Sequence, residues 1–187
     1  MKKRKHMALI KSVRGFHPQM GDECWLAENA TIVGEVVMGK KCTVWFNAVI
    51  RGDVNSITIG DQTNIQDNAT IHATFETAPT IIGSNVSIGH NAIVHGCTLE
   101  DEVLIGMGAI VMDRAVVKKG AMVAAGSVVL EGTVIDEGMI YAGIPARPIK
   151  KVEGKNREMM RRIAGNYLRY SAWFRDEETD INPLEHQ

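Results

Sequence analysis

The chain has few aromatic residues, few cysteines and no long apolar segment. Aromatic residues make up 5% of the 187 positions, whereas glycine occurs 18 times. Together with abundant Val, Ile and Ala, this composition favours short, closely stacked strands over a layered α/β core. The three cysteines are an odd number without a CxxC spacing, which favours a reducing compartment. No stretch approaches a membrane span, and the apolar run that ends at Lys11 is too short for a secretory signal, so we expect a cytoplasmic protein with no membrane partner.

An excess of charge of either sign is also missing. The 21 basic and 22 acidic residues leave a net charge of −1, which gives no global attraction to nucleic acid. A chain of this length suits one domain with a substantial core and an appended helix. We therefore expect no nucleic-acid partner.

Aliphatic residues recur at every sixth position through most of the chain. They form four series: Leu26, Ile32, Met38, Val44 and Ile50; Ile59, Ile65 and Ile71; Ile82, Ile88 and Val94; and Leu99, Ile105, Val111, Val117, Val123, Val129 and Ile135. A period of six is neither helical nor alternating, and it is typical of a parallel β-helix built from hexapeptide repeats. Three hexads make one triangular coil, so residues about 18 apart stack at about 4.8 Å, the spacing of neighbouring strands. The sequence thus predicts an all-β fold whose stacked coils share one continuous core.

The repeat divides the chain into four segments. Residues 1–25 have weak periodicity and are predicted to form an N-terminal cap. Residues 26–148 are predicted to form the β-helix domain, closed by the proline-containing stretch 142–148. Residues 154–175 predict an α-helix packed alongside, and residues 176–187 an acidic tail. The apolar stripe of the helix consists of Met159, Ile163, Tyr167, Tyr170 and Phe174. Its basic face could bind RNA or lipid, but a solvated face is the simpler interpretation.

The repeat predicts on which face of the β-helix each histidine lies. The aliphatic residues that precede Arg51, His72 and His95 fall on one face of three consecutive coils, so these three side chains stack in one outward-facing ladder. His72 and His95 are adjacent rungs, close enough to share a metal ion. His90 lies on the neighbouring face, above Asp67 of the coil below, and is not expected to reach that metal within one chain. His90 of a neighbouring subunit could complete the site in a closed ring, and the simplest ring of triangular prisms is a trimer.

The chemistry of three histidines favours a metal centre. Three neutral imidazoles with a fourth position open form the usual catalytic zinc site, and such an ion lowers the pKa of its bound water to about 7. The alternative is that histidines at corners are merely solvated polar residues. Two histidines on one ladder and a third at a corner favour the metal site.

Several motifs, taken in order, resemble the gamma-class carbonic anhydrase family of the left-handed β-helix hexapeptide superfamily. The matching segments are 50–53 (IRGD), 64–68 (NIQDN), 71–72 (IH), 88–90 (IGH), 94–97 (VHGC), 105–109 (IGMGA) and 141–147 (YAGIPAR). With the repeat, the resemblance covers about residues 10–150. The repeat alone is less specific, because acyltransferases share it.

The resemblance implies a left-handed parallel β-helix and a homotrimer with one metal ion at each interface. His72 and His95 would come from one chain and His90 from the next, around Zn²⁺, or Fe²⁺ or Co²⁺ in its place. Gln66 resembles the residue that orients the metal-bound hydroxide or the CO₂, and Asn64 would lie near it.

The same resemblance assigns roles at the interface. Arg51 resembles an interface residue that pairs with Asp53 and with Asp67 of a neighbour, and a bidentate pair of this kind is a strong way to fix an interface.

The implied reaction is attack of metal-bound hydroxide on CO₂ to give bicarbonate, which is the lyase activity of a carbonate dehydratase. Active members of the family move the released proton with glutamates, one directly after the Arg-Gly-Asp motif and one in the loop after the first histidine. This chain has Val54 at the first position and Phe75 at the second, so Glu76, one residue further on, is the remaining candidate. Tyr141 could reach the metal pocket or cap the last coil.

Other functions stay open on the same fold. A CoA-thioester hydrolase or an acyltransferase of the superfamily would share the repeat, although such transferases typically use a single histidine base. A non-catalytic assembly subunit is the third hypothesis, but it would have no need of His72, His90 and His95 together.

Overall fold

The structure is a computed structural model that describes residues 7–175. In chain order its elements are β1 (Leu9–Lys11), β2 (Gln19–Met20), β3 (Trp25–Leu26), β4 (Thr31–Met38), β5 (Thr43–Val44), β6 (Val49–Ile59), β7 (Asn64–Ile65), β8 (Thr70–His72), β9 (Thr80–Ile82), β10 (Ser87–Ile88), β11 (Ile93–His95), β12 (Thr98–Leu99), β13 (Leu104–Ile105), β14 (Ile110–Val111), β15 (Val116–Val117), β16 (Met122–Val123), β17 (Val128–Val129), β18 (Val134–Ile135), β19 (Met139–Gly143), β20 (Ala146–Lys151) and α1 (Lys155–Trp173). These elements confirm the expected fold class, an all-β parallel β-helix with a C-terminal helix alongside.

The strands form three faces that run along the solenoid. On the first face, β3, β5, β7, β10, β13, β16 and β19 pair in parallel in that order, and β20 adds an antiparallel edge. The second face consists of β1, the first parts of β4 and β6, β8, β11, β14 and β17. The third consists of β2, the later parts of β4 and β6, β9, β12, β15 and β18. Each coil therefore contributes one strand to each face, as a period of six predicts.

The core is a stack of aliphatic side chains directed inward from all three faces. The recurring hexad positions, such as Ile65 and Val94, are fully buried, and burial of one such side chain contributes about 1.5–3 kcal/mol. At the corner between the first and second faces, Asn68 and Asn91 have φ of 59° and 58°. Asparagine tolerates this left-handed conformation better than most residues. The resulting turn holds His90, which precedes Asn91, outside the core.

The solenoid begins earlier than the repeat predicts. The repeat assigns residues 1–25 to a cap, whereas β1 and β2 already pair in parallel with β4 and belong to the first coil. The aliphatic period is weak here because an end coil has a neighbour on one side only, and Leu9 and Ile10 remain exposed. Backbone hydrogen bonds to β4 continue the coil without a regular pattern of side chains.

Helix α1 lies along the first face, against β5, β7 and β10. Leu104, Ile140, Val152 and Met160 form a second apolar cluster at this contact. The basic residues of the helix point to solvent, in agreement with a packed amphipathic helix. Among residues 7–175, no helix combines the length and the apolarity that crossing a membrane requires. The expected acidic tail, residues 176–187, lies outside the described residues.

Candidate metal centre

His72 and His95 stand on neighbouring rungs where the second face ends. Strands β8 and β11 pair in parallel with His95 directly opposite His72. Nδ1 of His72 lies 3.0 Å from Nε2 of His95. The structure therefore brings together the two histidines that the outward ladder predicts as neighbours.

Each of these imidazoles also contacts a carboxylate on its outer side. Nε2 of His72 donates to Oδ1 of Asp53 at 3.0 Å, and Nδ1 of His95 donates to Oδ1 of Asp113 at 2.5 Å. Because carboxylates only accept, the outer nitrogens carry the protons and the two inner nitrogens face each other with lone pairs. Two lone pairs 3.0 Å apart repel unless a cation or a shared proton lies between them. The donor set therefore fits a metal ion.

The protonation states agree with this assignment. Burial lowers the pKa of His72 below its ordinary value, and the nearby charge of Arg51 also lowers it, although the hydrogen bond to Asp53 opposes the shift. Burial raises the pKa of Asp53 and of Asp113, but their hydrogen bonds outweigh it and leave both pKa values below the ordinary range. Ionised carboxylates and a neutral imidazole are the states in which this group of side chains would bind a metal.

The distances fit zinc with a small adjustment. Two nitrogens bound to one zinc ion in a tetrahedral arrangement lie about 3.3 Å apart, so the two imidazoles need to separate by only about 0.3 Å. Within residues 7–175 of a single chain, no group of three or more His, Cys, Asp and Glu side chains is arranged to hold a metal. The described residues of one chain therefore supply only part of a metal site.

Asp113 is fixed in place from two sides. The hydroxyl of Thr74, at the start of the loop between β8 and β9, donates to Oδ2 of Asp113. A Cβ at Gly96 would lie 2.6 Å from Oδ1 of Asp113, so the carboxylate reaches His95 only because residue 96 has no side chain. Gly96 also has φ of +52°, which glycine adopts readily.

His90 occupies a different corner, between the first and second faces. Its Nδ1 lies 2.8 Å from Oδ2 of Asp67, within ion-pair distance. Its Nε2 is hydrogen-bonded to the hydroxyl of Tyr167 on α1 at 3.2 Å. Burial raises the pKa of Tyr167 to about 12, with a contribution from the charge of Asp67, so the phenol is protonated at neutral pH.

Gln66 and Asn64 belong to a buried chain of hydrogen bonds on the first face. Nε2 of Gln66 donates to Oδ1 of Asn64 at 3.0 Å, and Nδ2 of Asn64 donates to Oγ of Ser87 at 2.8 Å. Both amides are at least 96% buried. These hydrogen bonds fix the orientation of the Gln66 amide from residues of the first face alone.

Arg51, Glu76 and Tyr141 are the remaining predicted site residues. The Arg51 guanidinium contacts Oδ2 of Asp53 at 2.5 Å in the same chain. Glu76 is exposed at the tip of the loop that starts at Thr74. Tyr141 lies in the last coil, where it pairs with the core residue Val123 of the preceding coil and packs against the hydrophobic core.

The sequence analysis missed Asp113, Thr74 and Tyr167 as neighbours of the histidines. A signal for Asp113 exists, because β11 and β14 pair Val94 with Val111, which stacks position 113 on the side-chain-free Gly96. Tyr167 was predicted only as part of an apolar stripe, and nothing in the repeat predicts how the helix docks.

Comparison with known proteins agrees with the repeat and with the family resemblance. A family profile described as the hexapeptide repeat of succinyl-transferase matches residues 79–112. A carbonic anhydrase of Geobacillus kaustophilus is 41% identical over 167 residues, covering 89% of this chain and 91% of that protein. Gamma carbonic anhydrase 1, mitochondrial, of Arabidopsis thaliana is 43% identical over 155 residues and covers 80% of this chain, but the chain spans only 56% of that relative.

A solved structure supports the same grouping. The crystal structure of a hexapeptide transferase family protein from Anaplasma phagocytophilum superposes with a TM-score of 0.85 at 38% identity, over 89% of this chain and 98% of that one. The match to the Geobacillus protein extends over nearly its whole length. This chain belongs to the gamma carbonic anhydrase family of hexapeptide-repeat proteins.

Proposed function

We propose that this chain forms a metal-dependent enzyme that hydrates CO₂ to bicarbonate and a proton, at sites shared between copies of the chain. The observation that carries the proposal is the facing pair of nitrogens, Nδ1 of His72 and Nε2 of His95, each on an imidazole whose other nitrogen donates to a carboxylate. A solvated corner has no need of two unprotonated nitrogens directed at each other.

The positions of the two corners support a homotrimer. His72 and His95 lie where the second face ends, and His90 lies where it begins. If the second face of each copy turns toward a threefold axis, the His90 corner of one copy meets the His72–His95 corner of the next. After Leu9 in β1, the outward row of the second face is β-branched, which suits close packing around such an axis: Thr31, Val49, Thr70, Ile93, Ile110 and Val128.

The three imidazoles would hold Zn²⁺, or Fe²⁺ or Co²⁺ in its place. Zinc supplies a bound water whose pKa is about 7, so that hydroxide is available at neutral pH. Asp53 and Asp113 accept the outer protons of His72 and His95 and so keep each inner nitrogen free to bind the metal. Asp67, whose Oδ2 lies 2.8 Å from Nδ1 of His90, would do the same for that residue.

Other side chains would orient the substrate and remove the proton. The buried hydrogen bond to Asn64 directs the amide of Gln66, which would hold CO₂ or the attacking oxygen in position. Hydration of one CO₂ releases one proton to solvent, and the exposed carboxylate of Glu76 would exchange it with bulk water. At the interface, Arg51 would pair with Asp67 of the neighbour in addition to Asp53.

Stopped-flow CO₂ hydration tests the proposal directly. The full chain is reconstituted with zinc and, under anaerobic conditions, with ferrous iron, and metal content is measured on the same samples. We expect hydration that depends on the metal and is lost in His95→Ala. Stoichiometric metal without hydration above the His95→Ala background would refute the carbonic anhydrase activity.

A hydrolase is the second candidate, because the same site could activate water toward a thioester. The Anaplasma structure carries a transferase family name, and the fold occurs in an N-acyltransferase of Bacillus cereus at 18% identity and a TM-score of 0.63. Metal-dependent hydrolysis of acetyl-CoA by a protein inactive toward CO₂ would favour this alternative.

A further inference from the structure

Two of the three cysteines are stacked on adjacent coils at the N-terminal end of the solenoid. Strands β3 and β5 pair Trp25 with Thr43, which places Cys24 beside Cys42. The amide of Trp25 donates to the carbonyl of Cys42 at 2.9 Å, so the backbones are in regular contact. Neighbouring strands lie roughly 4.8 Å apart, and disulfides join Cα atoms that are about 4.4–6.8 Å apart. The spacing of the two backbones therefore lies within the Cα range that a disulfide bond spans.

We propose that Cys24 and Cys42 are a site of reversible oxidation by hydroperoxides, which joins the first coil of the solenoid to the second through a disulfide bond. Cys24 is the residue that meets the oxidant, since it is partly exposed on the terminal strand of the first face. Cys42 is fully buried and is the residue that completes the bond. The inference is independent of the metal centre and of the proposed activity.

The chemistry of the pair agrees with this division of roles. The neighbouring Cys42 side chain lowers the pKa of Cys24 to about 7, and the charge of Arg175 also lowers it, although burial opposes the shift. The same proximity and burial raise the pKa of Cys42. A partly exposed thiolate next to a second thiol is the arrangement found in cysteines that oxidise reversibly.

The reaction balances with one peroxide. The Cys24 thiolate attacks a peroxide oxygen, so that an S–O bond forms, the O–O bond breaks and hydroxide leaves with a proton from solvent. The sulfur of Cys42 then displaces the hydroxyl group from Cys24, forming the S–S bond and releasing water with the proton of Cys42. Two thiols lose two electrons, and hydrogen peroxide is reduced to two water molecules.

Packing alone does not require a cysteine pair. The thiols donate to the carbonyl oxygens of Gly39 and Gly60 at 3.1 Å. In the next coil the hydroxyl of Thr63 makes the equivalent contact at 2.9 Å. Threonine is thus a structural substitute at these positions, which gives the test its conservative variants.

Cys97 is the internal control. It is 1% exposed, and burial raises its pKa to about 12. The residues stacked on it in the two adjacent coils are Thr80 and Ala115, as the register of β12 with β9 and β15 shows. No cysteine among these neighbours can form a bond with it.

The test treats the reduced full-length chain with hydrogen peroxide and counts thiols in denaturant. We expect the count to fall from three to one, the intact mass to fall by two hydrogen atoms, and dithiothreitol to restore both. Digestion of the unreduced protein should yield one linked peptide pair containing Cys24 and Cys42. Cys97→Ala should still lose two thiols, whereas Cys24→Thr and Cys42→Thr should form no intramolecular disulfide.

Three results would overturn the inference. They are a link that includes Cys97, a covalent dimer on non-reducing gels, and retention of all three thiols at a peroxide dose that fully oxidises a model thiol of pKa near 7. Because the peptide map is made on the wild-type chain, the test decides the matter even if Cys42→Thr fails to fold.

Discussion

Both corners that border the second face carry histidine, but the imidazoles differ in how their nitrogens are hydrogen-bonded. At the corner that ends the face, two imidazoles direct free nitrogens at each other, and each is held from behind by a carboxylate. At the corner that begins it, a single imidazole has a partner at both nitrogens, with Asp67 at ion-pair distance and Tyr167 hydrogen-bonded. The first corner is thus poised to bind a cation, whereas the second is satisfied within its own chain.

The difference is what the proposed shared site on a rigid solenoid would use. Side chains on a flat face splay apart, so in that proposal one corner would provide two ligands and a corner of a different orientation would provide the third. Each corner positions its own imidazoles with local carboxylates. Association of copies would then have only to bring preformed halves together.

Co-expression of two inactive variants, one for each corner, should give the largest effect. His90→Ala damages only one corner and His95→Ala only the other, so each homotrimer has no intact site. In co-expressed mixed trimers, one interface of three combines an intact His72–His95 pair with an intact His90. With random assembly, three quarters of the trimers are mixed, so we expect hydration to return to about a quarter of the wild-type rate.

Separately purified variants, mixed without subunit exchange, provide the control and should stay inactive. Co-expression of His72→Ala with His95→Ala is the matched pair, because both substitutions damage the same corner and no interface recovers. Equal activity in the two co-expressions would show that the site lies within one chain.

Removal of the carboxylate behind His95 should have the next largest effect. Asp113→Ala leaves Nδ1 of His95 without its acceptor, and loss of such a partner typically weakens metal binding by about 10–100-fold. Competition with a chelating zinc indicator measures the change. Asp136→Ala removes an exposed carboxylate that pairs with Lys118 and should leave the affinity unchanged.

A glycine pair tests the same contact from the backbone side. Gly96→Ala places a Cβ against the Asp113 carboxylate, whereas Gly126→Ala meets nothing within 4 Å, although φ is positive at both positions. The backbone penalty, about 1–2 kcal/mol, is therefore shared, and only Gly96→Ala should reduce zinc affinity. Equal zinc affinity in the two variants would mean that the carboxylate does not position His95.

The sequence predicts these corners to different extents. The six-residue period and its insertions are sufficient to align His72 with His95, because strand register is a matter of counting once the inward positions are known. Asp113 lies beyond that count, since its contact depends on a missing side chain at Gly96 and on a loop hydroxyl. The contact of Tyr167 with His90 joins residues 77 positions apart through helix docking, which no local pattern encodes.

Tyr167 offers a smaller effect with an informative sign. Its hydroxyl is hydrogen-bonded to Nε2 of His90, the nitrogen that a metal would need, so metal binding must break this hydrogen bond. Tyr167→Phe should therefore raise zinc affinity by up to about fivefold, which corresponds to about 1 kcal/mol for one hydrogen bond. Tyr170→Phe is the control, since it makes the same substitution nearly one helical turn away, and it should leave zinc affinity unchanged. A lower zinc affinity in Tyr167→Phe would mean instead that the phenol orients His90 for binding.

The smallest effect on the stability of one chain is expected at Arg51, and a test of subunit dissociation makes this substitution informative. Its ion pair with Asp53 is partly exposed, and such pairs contribute about 0–1 kcal/mol, so Arg51→Met should change the thermal midpoint of the fold very little. Arg51 nevertheless lies at the corner that would meet Asp67 of a neighbour, so the variant should dissociate at higher protein concentration than the wild type in sedimentation velocity. Arg114→Met, which removes a more exposed pair with Glu131, should leave dissociation unchanged. If the two variants dissociate alike, Arg51 does not contribute to the interface, and the threefold arrangement of the corners loses its charged contact.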